Sequence, residues 1–564
     1  MKIIFTLLFS SIFAFGIATA QERYLDEIFT EVNDTTVLYG GNATVLFLPF
    51  TGGAELIPLP MDVYYPAGDT ETNRPVVLVF HTGNFLPSGT NLQIPGTRQD
   101  SSVVEICRQL ARRGYVAASC DYRLGWNPQA PTQPERALGL IQAAYRGVQD
   151  GRNAIRFMRF LAESGGNPFG IDAERMTVLG TGTGGYLTLG LVGLSDYNEI
   201  LTTTNGQAKF ILDLNQDGTP ETPMVVEEFH GDINGEVFTV TPADGFGLMA
   251  GDTTNFDNFA GVSSDFRLGI NIGGALGDIS WLSDNTTPTI SIHNPADQFA
   301  PYEDAVLVVP TTGDPIVQVQ GALLIGRTNR DNGANAVFTD GVSFEDEPST
   351  ALAMANSEAT GHEYIEGVYP FVAELNSLGL DEGIAIDWWD PNAPSGRQDS
   401  LGNDIPWAFL PHPLGGSFHD QGLILNENMS AEKARGNIGL CMDYMLPRMC
   451  VALDLPCRAN YVLSSTEDLI DIDAFSVYPN PAQDRLLISS DSHTIESISL
   501  STLSGELVMD INEINNTQYT LNRDQLNAGI YLLSIRTEDG VATQKVVFES
   551  VSYTHLTLPT TPYV

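Results

Sequence analysis

The chain has 564 residues, long enough for two to four domains, and 43% of them are hydrophobic, enough to fill sizeable cores. Its 54 glycines and 32 prolines indicate a loop-rich globular protein and exclude a coiled coil. A formal net charge of −43 argues against binding nucleic-acid phosphates or docking on an anionic membrane; it fits a solvated, exported surface.

Lys2, the apolar run Ile3 to Ile17 and the small-residue site Ala18-Thr19-Ala20 predict a signal peptide over 1–20, cleaved before Gln21. The run is short for a membrane span, and no other stretch is as long and apolar. Export permits disulfides among the five cysteines, Cys107, Cys120, Cys441, Cys450 and Cys457. Cys450 and Cys457 flank Leu-Asp-Leu-Pro and can close a small loop; five buried thiols are the other reading. The odd count leaves at least one cysteine unpaired within the monomer.

Further along, Met61–Pro66 alternates like a strand, and Pro75–Phe80 is a continuous apolar run, as in a strand buried on both faces. Ser102–Arg113 has helical spacing and stops at Gly114. Tyr115–Cys120 is a second buried strand, Leu138–Leu161 a long helix, and Met176–Gly180 a third buried strand that enters a glycine-rich turn and then a helix through Leu187, Leu189 and Leu191. Strands alternating with helices define an α/β fold with a doubly wound, mostly parallel sheet.

The motifs come in a telling order: His81-Thr82-Gly83-Asn84 after the first buried strand, Asp121-Tyr122-Arg123-Leu124-Gly125 after the second, then Gly180-Thr181-Gly182-Thr183-Gly184, and later Thr289–His293 followed by Asp297. This succession resembles the α/β-hydrolase superfamily, within it the carboxylesterase and hormone-sensitive-lipase-like branch. The resemblance covers about 60–195 and 285–305 of a domain spanning 21–463. The stretches 196–284 and 306–410 read as insertions.

That resemblance implies a nucleophile on a strand-to-helix elbow, backbone N–H donors for an oxyanion, a histidine base and an orienting carboxylate. His81-Thr82-Gly83-Asn84 fills the slot of the family's His-Gly-Gly-Gly, which makes the Gly83 and Asn84 N–H groups the oxyanion donors. Asp297 takes the place of the acid. The base must come from His362, His412 or His419. His419, in a glycine-rich loop before the helical stretch Ser430–Arg448, is chosen, with His412 in reserve. The family's Gly-x-Ser-x-Gly is here Gly-Thr-Gly-Thr-Gly, so Gly182 stands where the serine belongs and offers no attacking atom. A glycine-rich turn at a helix start can instead hold an anion, which gives Gly182 to Gly185 a second use.

Within the first insertion, Asp213, Asn215 and Asp217 alternate ahead of Gly218, with Glu221 at the ninth place. The spacing resembles the start of a calcium loop, although the twelfth place is Met224 and not the glutamate of an EF-hand. Calcium is therefore the one ion expected; the hydrolase chemistry requires no cofactor. Trp388-Trp389 in the second insertion packs in the core or lines a cleft.

Ser464–Asp473 is a polar, acidic stretch, read with its flank as a linker over 464–474. Beyond it, short alternating segments broken by glycine and asparagine turns predict a small all-β sandwich over 475–549. Tyr478-Pro479-Asn480-Pro481, Gly529-Ile530-Tyr531-Leu532 and Lys545-Val546-Val547 resemble the type A sorting domain of the type IX secretion system. The resemblance implies engagement of that machinery and export across an outer membrane. The threonine-rich 550–564 does not continue the sandwich and reads as an artefactual tail.

Two main uses of the site follow. One is an exported hydrolase of carboxylic esters or polyesters, acting on a small molecule or a polymer with a water activated by His419 in place of serine. The other is a non-catalytic protein whose old cleft binds an ester-like or anionic ligand or a partner protein. A third reading makes the hydrolase domain a scaffold only.

Overall fold

A computed structural model describes residues 21–204, 209–213, 217–309, 311–373, 375–463, 472–502, 507–512, 514–523, 526–538 and 540–549. The expected signal peptide, the tail 550–564, Asn215 and 464–471 of the linker lie outside them. The chain divides into two units, Met1–Val462 and Leu463–Val564.

The first unit is built on eight strands: β1 (Val32–Thr44), β2 (Glu55–Pro66), β3 (Arg74–Phe80), β4 (Val116–Cys120), β5 (Ile171–Thr181), β6 (Leu268–Ile272), β7 (Thr289–His293) and β8 (Val368–Pro370). Their spatial order is β1-β2-β4-β3-β5-β6-β7-β8. β1 and β2 are antiparallel, as are β2 and β4; every later pair is parallel. The α-helices of five residues or more are α1 (Ser101–Arg112), α2 (Gln133–Glu163), α3 (Thr183–Gly193), α4 (Ala322–Asn332), α5 (Pro348–Thr360), α6 (Phe418–Gly422) and α7 (Ala431–Ala452) among the described residues.

β3 shows why the sheet is central. All seven of its residues are buried. Val76, Leu78 and Phe80 feed a core shared with Leu140, Val148 and Ile155 of α2 and Leu187 of α3. The alternate Val77 and Val79 feed a second core with Val103, Ile106 and Leu110 of α1 and Met442, Met445 and Met449 of α7. The period of two in a strand thus sends successive side chains to opposite helical layers. α2 starts earlier than its apolar periodicity alone suggests. Thr132 caps it in a reciprocal box with Glu135, which satisfies two otherwise orphaned donors.

The stretches read as insertions, about 196–284 and 306–410, each contain a strand of the central sheet. β6 pairs with β5 and β7, and β8 closes the far edge beside β7. The additions to the sheet are therefore shorter than the sequence reading drew them. A hairpin, Asp304–Val308 with Pro315–Gln320, follows β7.

A buried ion pair pins the helical layer on the α2 side. Arg123 Nε lies 2.9 Å from Asp150 Oδ1, and neither side chain touches solvent. The same carboxylate accepts the Arg123 backbone N–H at 2.7 Å, while the guanidinium also donates to Ala43 O, Thr254 O and Gln149 Oε1. Cys450 and Cys457 are joined with Cα atoms 5.5 Å apart; Cys107, Cys120 and Cys441 are buried and free.

The second unit holds two antiparallel sheets. One is Ser476–Tyr478, Arg485–Ser489 and Gln518–Asn522; the other is Leu507–Ile511, Ser497–Thr502, Gly529–Thr537 and Gly540–Phe548. Leu486 and Ile488 from the first meet Ile498, Leu500, Leu533, Ile535 and Val546 from the second in a single core, the arrangement of a sandwich. Among the described residues, no helix is long and apolar enough to cross a membrane.

Candidate active site

β5 ends at Thr181 and α3 begins at Thr183, so Gly182 alone makes the turn, with φ +52° and ψ −113°. That is the sharp, strained geometry on which hydrolases of this fold mount a nucleophile. The helix also starts very close to β3: a Cβ on Gly184 would overlap the Phe80 carbonyl. The elbow is present in full, without its side chain.

The space that side chain would occupy is taken. A Cβ built on Gly182 would overlap Thr82 Oγ1 and sit 3.1 Å from Thr82 Cβ. Thr82 stands where the family pattern has a glycine, and two of the three departures from that pattern, Gly182 and Thr82, face one another; the third is Asn84.

The loop expected to supply oxyanion donors also departs from the pattern, at Asn84. Gly83 has φ +128° and Asn84 φ +55°, so the chain folds back sharply after β3. The Asn84 N–H donates to Thr183 Oγ1 at 2.7 Å, and its carbonyl accepts from Trp126 Nε1 at 2.8 Å. Of the two expected oxyanion donors, Asn84 is thus already engaged by a hydroxyl from the first turn of α3. Among the described residues, the Gly83 N–H has no such partner. The Asn84 side chain donates in turn to Thr311 Oγ1 at 3.3 Å, at the tip of the 304–320 hairpin.

Asp297 follows β7, as a triad acid does. One of its oxygens accepts from the Phe299 and Ala300 N–H groups at 2.7 and 3.0 Å, and the other lies 3.7 Å from His293 Nε2. His293 is buried at the end of β7 and donates to Ala300 O; burial lowers its proton affinity, against the opposing pull of Asp297. His419 lies on α6, in the loop between β8 and α7. Its Nδ1 accepts from Trp389 Nε1 at 3.1 Å. No ion pair joins it to Asp297; the histidine beside that carboxylate is His293. His412 donates to Leu92 O and accepts from the Leu414 N–H, and His362 sits by Thr360 and Glu303. Among the described residues, no histidine hydrogen-bonds to a residue of the elbow turn, 181–184.

Two cavities adjoin this region. The first, about 140 Å³, runs from Asn84 and Thr183 between α2 and α3 and is lined almost wholly by apolar side chains. The second, about 330 Å³, is a cleft between the 91–95 loop and the α6 region, walled by Phe299, Trp389, His412 and Phe418. Trp389 thus borders a cleft, while Trp388 packs beneath the Arg435 guanidinium, 5.2 Å from it.

Of the residues expected to bind calcium, Asp213, Asp217 and Glu221 bring one carboxylate oxygen each to within 4.8 Å of one another. Asp213 also accepts the N–H groups of Asp217 and Gly218, as a turn aspartate does.

The sheet order and the glycine elbow define an α/β-hydrolase fold with a serine-free nucleophile turn. Residues 61–229 match the BD-FAE family model, and 476–549 match the family model described as a secretion system C-terminal sorting domain. The chain thus carries an esterase-like domain of the BD-FAE family and a type IX sorting domain, which marks it as secreted or attached at the cell surface. It is similar to structures of an esterase from Thermogutta terrifontis. The propionate-bound form is 16% identical with a TM-score of 0.25 over 48% of this chain and 74% of that one. The paraoxon-phosphorylated form is 15% identical with a TM-score of 0.26 over 48% and 73%. No curated protein sequence matches the chain.

Proposed function

We propose that the esterase-like domain binds an ester-like or anionic ligand outside the cell and does not hydrolyse it. The observation that carries this reading is the filled elbow: Thr82 Oγ1 occupies the room of the missing side chain, and Thr183 Oγ1 takes the Asn84 N–H. A tetrahedral intermediate needs that room and that donor. Catalysis by a water activated at His419 would need the Asp297–His419 pair, and each of these residues has a different neighbour. Incubated with p-nitrophenyl acetate and butyrate, the full mature chain should show neither a burst nor turnover above the buffer rate. A fluorophosphonate probe should leave it unlabelled. Stoichiometric labelling at any serine or threonine would overturn the reading.

Removal of 475–549 should leave the protein in the periplasm of a host with type IX secretion, read by immunoblot of medium and periplasm. Undiminished appearance in the medium would refute the role of this domain. The leader at 1–20 is proposed on its sequence alone.

Calcium at the 213–221 loop is likewise a proposal, with Asn215 as a fourth ligand by sequence. Calcium at a hundredfold excess over its dissociation constant should stabilise the chelated protein by ~2.7 kcal/mol through mass action. Superimposable melting curves with and without the ion would reject it.

A further inference from the structure

We infer that a single halide ion, chloride under natural conditions, binds in a small buried cavity between the β1–β2 turn, the middle of α2 and the 227–255 segment, held by Arg146, His230 and Thr254. This cavity shares no lining residue with the two that adjoin the elbow, and the inference stands whichever way the elbow is read.

The site is assigned first from unspent polar atoms. The cavity has a volume of about 10 Å³. That is about the room of one small guest, and a phosphate or a carboxylate does not fit. Arg146, His230 and Thr254 are the polar side chains in its wall; the rest of the wall is alkyl, from the β1–β2 turn and Leu248. Each of the three is at most 5% exposed. Each also has one buried atom without a hydrogen-bond partner among the described residues: Arg146 Nε, His230 Nε2 and Thr254 Oγ1. Buried polar atoms are nearly always paired, so three orphans around one cavity point to a guest. Other contacts tie the same wall together. Arg123 donates to Ala43 O at 3.3 Å and to Thr254 O at 3.0 Å, and the Arg146 charge acts on the His230 ring.

The guest is assigned from charge. Arg123 is balanced by Asp150 at 2.9 Å. Among the described residues, no carboxylate lies within ion-pair distance of Arg146, whose Nη2 donates to Gly125 O at 2.6 Å. Burial first, then the neighbouring Arg123, lower the Arg146 proton affinity to about 9, and Asp150 opposes them more weakly. Arg146 therefore stays charged at neutral pH, and the cluster carries one positive charge too many for a core. Water could satisfy the orphaned atoms but not that charge. Arg146 Nε can only donate, and the Thr254 hydroxyl is free to do so. Burial lowers the His230 proton affinity to about 4, so the ring is neutral; in the tautomer whose Nδ1 accepts the Val226 N–H at 3.1 Å, Nε2 is a donor too. Three donors and a surplus positive charge call for a small anion that only accepts. A spherical halide also tolerates the alkyl part of the wall.

The test uses the full mature chain. All five tryptophans lie in the first unit, so their emission follows the unfolding of that unit alone. In urea, sodium chloride or bromide should lower the unfolding constant relative to sodium gluconate at equal ionic strength. Once the site is filled, the drop should be about tenfold for each tenfold rise in halide. The gluconate series removes the general screening of a chain of net charge −43 from the comparison. Thr254→Val should weaken halide binding about tenfold through one lost charge-assisted hydrogen bond. Arg146→Met should abolish the difference between halide and gluconate. Crystals soaked in bromide should give an anomalous peak beside Arg146 Nε. Should the Arg146 variant fail to fold, Thr254→Val and the bromide peak still decide. Equal stability in chloride and gluconate at every concentration, or water without bromide in the soaked crystal, would overturn the inference.

Discussion

Asp150→Ala should lower the unfolding free energy by about 3–5 kcal/mol, because it strips the counter-charge from a guanidinium with no access to water. Arg123 and Asp150 are both fully buried. The carboxylate also faces a second buried cation, Arg146, whose proton affinity is pushed down to about 9 by burial and by the neighbouring Arg123. Removing Asp150 leaves two like charges in the core with carbonyl and amide partners only. The shift should appear in the urea midpoint at neutral pH with little change in slope. A loss below about 1 kcal/mol would mean that Ala43 O, Thr254 O and Gln149 satisfy Arg123 unaided.

The second large effect concerns the elbow. Gly182→Ser should fail as a repair and cost about 1–3 kcal/mol as an overpacking change, since its Cβ overlaps the Thr82 hydroxyl. Thr82→Gly in the same chain removes the obstruction, and the pair should then be about as stable as Thr82→Gly alone. The double-mutant cycle should therefore show a coupling of about 1 kcal/mol or more. Neither variant should react with a fluorophosphonate if, as proposed, the site has lost its hydrolytic machinery, the Asn84 N–H being held by Thr183 Oγ1. Labelling of the double variant alone would place a base within reach. It would make Thr82 the one obstacle to hydrolysis.

The sheet was legible where the chain buries both faces. The runs 75–80, 115–120 and 176–180 need no context to be read as strands, and β7 was read with its true ends. β6 and β8 escaped for a physical reason. Leu-Gly-Ile-Asn-Ile carries a glycine and an amide that hydrogen-bonds within its own turn through Gly274, and Val-Tyr-Pro is three residues long. Neither has a period to detect. The missing serine was plain in the sequence, but its consequence was not. Thr82 and Gly182 lie a hundred positions apart, as nearly do Asn84 and Thr183, and only folding brings each pair together. Thr183 stands in plain view inside the glycine-rich motif, but nothing in the sequence pairs its hydroxyl with the Asn84 N–H. The choice of His419 followed motif order, which fixes the loop but not which way a ring is held; the Trp389 indole holds it.

The closed ring at Cys450 and Cys457 has a consequence for maturation. It ties the end of α7 to the 3₁₀ turn Pro456–Asn460, and Val462 then bridges to Val342 while Tyr461 O accepts the Ser343 N–H. The last stretch of the esterase-like unit is thus anchored twice before the acidic linker begins. A peptidase that trims the sorting domain within 464–474 would leave a stub of few residues, and exopeptidase digestion should stall near Val462. The trimmed product would keep its C-terminal helix seated, so loss of the sorting domain should leave the melting temperature of the esterase-like unit unchanged.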